Sequence, residues 1–441
     1  MQFLTLLIIK IKLEIPYDNP IFIAVRIIMN ISRSLVTVCT IVSCVFLISQ
    51  CINKNNNVKE VITNAKGEQF AGSATCANCH KNIYESHLTT AHHLTSQPAL
   101  QKYLKGSFEP GKNIYSYTYN NSVEVAMEKR DSSFYQVEYF RGKEKKAFPF
   151  EIVIGSGTMG QSFLYWKDDH LLQLPITYFT AANAWSNSPG FPDKVLFNRV
   201  ITSRCLECHT TFVKKISPPE EEIEKFDKQK IIYAVDCEKC HGPAAKHVEF
   251  QTQNPKITTA KYIINTAKLS RQQNLDLCAS CHGGRLQKTK PSFEFTAGDH
   301  LSNYFKVDTS APNPDSIDVH GNQYGLLRAS KCFKMSQMTC ITCHNTHENE
   351  KGKISLFSQR CMTCHNNEHQ NNCKLSKSMG TVINTNCIDC HMPLKSSKVI
   401  AVQLRGGTMP IAALIRSHFI NIYPGETKRI LAAMKNTNQI H

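Results

Sequence analysis

Seven copies of one five-residue signal, Cys-x-x-Cys-His, constrain most of what this chain can fold into. They run Cys76, Cys79, His80; Cys205, Cys208, His209; Cys237, Cys240, His241; Cys278, Cys281, His282; Cys340, Cys343, His344; Cys361, Cys364, His365; and Cys387, Cys390, His391. On one helical turn the two cysteines share a face and the histidine falls beside them. That is the attachment signature of c-type haem. The thiols add to the porphyrin vinyl groups, and the imidazole takes the proximal side of the iron. Seven covalently attached haem c groups would have to be buried by a modest supply of apolar residues. The sequence therefore predicts a mainly α chain with much irregular structure, wrapped around stacked haems in place of a conventional side-chain core.

The signal is specific. No Cys-x-x-Cys pair in the chain lacks the following histidine, and only 18 of 441 residues are histidine, so seven coincidences are out of reach. Zinc sites use four cysteines, or two cysteines with two histidines three to five residues apart, and disulfides explain none of the histidines. The net charge of +16 suggests acidic partners at first sight. Without residues 1–50, which hold four basic and two acidic side chains, it falls to +14. Haem propionates offset most of the remainder, so no nucleic-acid partner is expected.

Residues 1–50 read as an export segment, with 1–28 a start-site artefact because Met29 alone begins a complete signal. Ile48-Ser49-Gln50-Cys51 resembles a lipobox, which predicts lipidation of Cys51 and a membrane attachment through that lipid. The uncleaved transmembrane anchor is the other reading of this segment. Residues 51–70 form a polar tether and 71–110 the first haem segment. Residues 111–200 are a small antiparallel β insertion and 201–441 a six-haem region. The insertion is argued from the runs Ile114–Tyr119, Ser122–Lys129, Ser133–Phe140 and Ala147–Ile154, with turn-like Asn120-Asn121, Arg130-Asp131 and Arg141-Gly142 between them. Ile216–Lys230 reads as a solvated linker with a short helix. Gly155–Gly160 formally matches a dinucleotide fingerprint, but strand-like residues follow where a helix is required, so it reads as a close-packed turn.

The proximal iron ligands are then His80, His209, His241, His282, His344, His365 and His391. For the opposite faces the candidates are His92, His247, His320, His347, His369 and His418, with His87, His93 and His300 in reserve. His247 and His347 lie too close to their own motifs to reach round the same iron, so they point to neighbouring haems. Six candidates face seven haems. A reserve histidine or a methionine such as Met159 completes the set, or one iron is open. Cys332 and Cys373 lie outside the motifs and could pair in an oxidising compartment.

The stretch Gly72-Ser73-Ala74-Thr75-Cys76 through Tyr84 to His92 resembles the cytochrome c-554-type family, the tetrahaem cytochromes of hydroxylamine oxidation and their larger relatives. Phe197-Asn198-Arg199, Cys237 to Pro243 with His247, Ser330–Phe333, and Cys387 to Pro393 with His418 extend the likeness over about 70–440. The resemblance implies stacked haem pairs, favours His92, His247, His347 and His418 as distal ligands, and allows a five-coordinate haem. This chain departs from it in having seven motifs and a β insertion. Two functions follow. The first is a periplasmic or outer-membrane relay that passes electrons between other redox proteins, quinol-oxidising or multihaem. The second is an oxidoreductase acting on a small nitrogen or sulfur compound at one open haem. No catalytic residue is assigned, and no Cys-x-x-Cys-Lys motif is present, so the relay is favoured.

Overall fold

The first motif opens the helix Ser73–His87, which enters from Gly72 (φ 82°) and breaks locally at His80 (φ −115°, ψ 43°). The computed structural model describes residues 40–44, 61–218, 220–366, 368–369, 372–404 and 409–438. Residues 1–60 and 61–441 are separate units, and in the first the described stretch, 40–44, is helical. The expected lipidation site Cys51 and the tail residue His441 lie outside the described residues. Among those described, no helix is long and apolar enough to cross a membrane.

The mainly α expectation is overturned: the chain is 31% helix and 24% strand, with several antiparallel sheets. A haem motif needs only about one turn of helix, whereas the spacers carry alternating apolar sequence that pairs locally into hairpins. After the first helix, β1 (Ser96–Pro98) precedes a four-stranded meander of β2 (Ile114–Ser116), β3 (Val123–Arg130), β4 (Ser133–Phe140) and β5 (Lys143–Pro149). Phe140 pairs with Lys143 across Arg141 (φ 52°) and Gly142 (φ 72°). Two consecutive left-handed residues are what a tight hairpin turn requires. The run expected at Ala147–Ile154 divides at Phe150, and its second half joins another sheet.

That second sheet has seven strands. It runs β1, β6 (Ile152–Ile154), β7 (Gly160–Lys167), β8 (His170–Gln173) and β11 (Arg199–Val200), while β9 (Ile176–Phe179) pairs β7 and also β10 (Ala184–Asn187). The Gly155–Gly160 segment is its tight turn. A Cβ on Gly155 would lie 2.7 Å from the Gly160 carbonyl oxygen, and a strand follows, which excludes the dinucleotide reading. The two sheets enclose a conventional apolar core that includes Tyr117, Val125, Met127, Phe134, Phe150, Phe163 and Trp185, contrary to the expected haem-filled interior. Phe163 is fully buried and stacks on Phe150 with centroids 4.2 Å apart. Phe163→Ala should cost about 3–5 kcal/mol, measured as a drop in the denaturant midpoint.

Beyond the second motif, β12 (Thr210–Lys215) and β13 (Phe226–Tyr233) form a hairpin where a linker and helix were expected. Fully buried Phe226 packs with Leu171, Leu206 and Val213, and that burial outweighs the surrounding charges. Two-stranded ladders of β14 (Gln287–Lys288) with β15 (Phe305–Lys306), and of β16 (Leu394–Val402) with β17 (Ile411–Arg416), punctuate the rest. The later motifs sit on short helical pieces between these hairpins.

Candidate functional site

Each motif occupies a helical turn whose start is held by a local acceptor or by tertiary contacts. The second lies in Ser203–His209, the third in Cys237–His241, the fourth at the end of Arg271–His282 and the seventh in Cys387–His391. The fifth is a 3-10 turn, Cys340–Thr342, and the sixth begins at the end of Ile354–Met362. Asp236 caps the third by accepting from the Cys237 amide, and Ser270 with Gln273 forms a capping box for the fourth.

Two glutamates inside the motifs carry tertiary roles that the sequence analysis missed. Glu238 is buried and accepts from the amides of Ala71, Gly72 and Ala244, all at 2.8 Å, so it binds the start of the first motif helix to the third motif. Buried Glu207 accepts from Lys288 Nζ at 2.6 Å and from the Phe293 amide at 2.7 Å. A carboxylate at a variable motif position that must lie against porphyrin was the available signal, since burying it demands partners.

The motif histidines meet histidines from elsewhere in the chain. His241 faces His347 with ring centroids 6.1 Å apart and planes 12° from parallel. His344 faces His418 at 6.2 Å and 29°, and His282 faces His92 at 6.2 Å and 57°. An imidazole nitrogen lies about 2 Å from a metal it binds, so two imidazoles on one ion have centroids about 6 Å apart. All three pairs match that span. His320 lies within electrostatic reach of both His209 and His282, the histidines of the second and fourth motifs. His247 is half-buried and His369 exposed; their rings bond to the Lys261 carbonyl and to Asn366 Oδ1. The exposed rings of His80 and His365 and the half-buried His391 complete the proximal set. Met159 packs against Phe179 and its neighbours.

Hydrogen bonds select the nitrogen left for a metal. Nδ1 of His241 donates to the Ile264 carbonyl at 2.9 Å, that of His391 to Asn421 at 2.9 Å, and that of His418 to Arg416 at 3.3 Å. A carbonyl can only accept, so each ring carries its proton on Nδ1 and presents Nε2 as a lone pair, the usual arrangement of metal-bound histidine. Removal from water pushes His92, His209 and His418 down to about 4, which keeps them neutral and competent as ligands at neutral pH. An open groove of about 580 Å³, lined by Ile422, Pro424, Thr427, Lys428, Leu431 and Ala432, lies beside Cys390 of the seventh motif. The donor set and its spacing fit covalent haem.

Thiols of different motifs also touch. Cys76 meets Cys237, Cys208 meets Cys281, Cys278 meets Cys340, and Cys361 meets Cys387. These contacts join motif one to three, two to four, four to five, and six to seven. Cys332 and Cys373 are free thiols, the former near Cys364 and the latter near Cys390.

Motifs five and six are braced by Arg360, which grips buried Glu350 through both oxygens (2.5 and 2.9 Å) and donates to the Cys343 carbonyl at 2.7 Å. Arg360 holds the Glu350 carboxyl below its ordinary value. A depressed folded-state pKa gives stability that is present above the unfolded pKa, about 4.3, and is lost as pH falls through the folded value. Denaturant midpoints should therefore fall below about pH 4.3, and Glu350→Gln should flatten that dependence.

Motifs of this kind with facing imidazoles have the donor chemistry that covalently bound haem c uses. Residues 193–242 match the family described as cytochrome c554 and c-prime. The solved structure of the outer cell wall cytochrome OcwA is similar, with a TM-score of 0.51 and 17% identity over 82% of this chain and 81% of that one. Its likeness is one of fold. No curated protein matches the chain. The likeness to c554-type cytochromes thus covers residues 193–242, and the likeness to a multihaem cytochrome structure is one of fold over most of the chain.

Proposed function

We propose that this chain is an exported heptahaem cytochrome that relays electrons between other redox proteins through largely bis-histidine haems. The observation that carries this reading is the set of three imidazole pairs at metal-bridging distance, each joining a motif histidine to one far away in the chain. When bound, haem supplies one-electron transfer at iron. The chain holds neutral imidazoles on both faces, and such ligation favours low potentials because methionine would raise them. Four thiol contacts and two looser approaches support an order for the relay, one to three, then onward to four, five, six and seven, with two branching from four. The third-to-fourth step rests on the proximity of Cys240 to Cys281, and the fifth-to-sixth on that of Cys343 to Cys364.

Donors and acceptors are quinol-oxidising or multihaem proteins on this reading. Residues 71–110 carry the first haem, 111–200 the β-rich insertion and 201–441 the other six. Export is supported by the outer cell wall location in the name of the OcwA structure. Attachment to a membrane would run through a lipid on Cys51, tested by the mass of the N-terminal peptide. Intact-mass spectrometry should find seven haem additions, and electron paramagnetic resonance of the oxidised protein should show low-spin iron. A high-spin signal that shifts with nitrite or hydroxylamine would instead make the chain an oxidoreductase.

A further inference from the structure

Three metal-ligating side chains converge outside the paired imidazoles. They are His87 at the end of the first motif helix, His93 in the turn beyond it, and Asp236 just before the third motif. His87 Nε2 lies 3.1 Å from Asp236 Oδ1, and His93 Nδ1 lies 3.5 Å from Oδ2. Donor atoms from all three residues fall within 4.8 Å of one another. Their side chains are only 9%, 14% and 10% exposed. Within this enclosure Nδ1 of His93 lacks a hydrogen bond of good geometry, and His87 meets only the Asp236 carboxylate and the Thr346 backbone. Buried polar atoms are rarely left so.

We propose that His87, His93 and Asp236 bind one divalent transition ion of the zinc–iron class, separate from the haem irons. Two ligands on a tetrahedral zinc ion are about 3.3 Å apart; here the two imidazoles approach opposite oxygens of the one carboxylate at 3.1 and 3.5 Å, and one donor atom from each residue falls within 4.8 Å of the others, so a small shift closes them on a single ion. Two imidazoles and one carboxylate suit zinc or ferrous iron, whereas calcium and magnesium take oxygen ligands. Gln97 pins the His93 ring: its amide donates to the His93 carbonyl at 2.6 Å and lies 3.3 Å from Nε2, which leaves Nδ1 facing Asp236. A fourth position falls to water. The bound ion ties the first motif helix to the third motif at a point where the carboxylate otherwise meets two imidazoles without a satisfied geometry.

The test is equilibrium dialysis of the haem-loaded protein against micromolar Zn²⁺, with zinc, iron and protein quantified by elemental mass spectrometry before and after loading. One zinc per chain is expected, or one iron beyond the haem count in protein as isolated. Asp236→Asn and His87→Ala should each lose that ion, read as non-haem metal per haem with haem content quantified in the same sample. Metal equal to haem iron alone in the loaded wild type overturns the proposal and leaves a hydrogen-bonded triad. So does retention of the extra ion in both variants. The zinc-to-protein ratio is read independently of electron transfer, so failure here and failure of the relay are distinguishable.

Discussion

Replacing His347 by glycine is expected to turn one low-spin haem high-spin, and the haem affected is that of the third motif. His347 follows the fifth motif by three residues, so its own sequence neighbour is the obvious target. The fold instead sets it nearly parallel to His241, 6.1 Å away, and gives His344 to His418. A second substitution identifies the haem. Removing Cys237 and Cys240 from the glycine variant should abolish the high-spin signal, while removing Cys340 and Cys343 should leave it. The opposite pattern would sink the cross-motif assignment. His347→Met should keep six-coordination and raise one potential by on the order of 0.1 V, since axial-ligand identity is a main determinant of potential. Redox titration of the variant would read that shift.

Glu238→Ala should destabilise the protein by about 3–5 kcal/mol, because it leaves three amides without an acceptor and removes charge-assisted bonds. The Ala71 and Gly72 amides start the first motif helix, so its N-terminus loses its satisfaction along with its tie to motif three. Cys76 and Cys237 touch at the same junction. The haems of these two motifs should therefore lose their fixed relation, read as weakened magnetic coupling between them. Glu238→Gln keeps one acceptor oxygen and should fall between wild type and alanine in denaturant unfolding. A wild-type midpoint for the alanine variant would remove Glu238 from the account.

Much of the local structure was legible in the residues. Arg141-Gly142 and Arg130-Asp131 are turn chemistry, and strands form on either side of both. The motif helices were legible too, because covalent spacing defines one turn. The balance of helix to strand was misread because the motifs were given the weight of the whole fold. The charges of Ile216–Lys230 hide Phe226, whose burial depends on Leu171 of another strand and Leu206 of the second motif helix. Of the distal candidates, His92, His347 and His418 stand opposite motif histidines, but which motif each serves could not be read from spacing.

The chemistry is local to the chain: in seven places two thiols and an imidazole are held together by a few bonds of backbone. Such a unit is complete within one helical turn, so it needs no tertiary information. The partner of each imidazole, the order in which motifs meet, and the burial of Glu207, Glu238 and the His87, His93 and Asp236 cluster arise only on folding. Those depend on side chains brought together by packing, such as Asp236 against His87, and a pair separated by well over a hundred residues leaves no periodic trace in the chain.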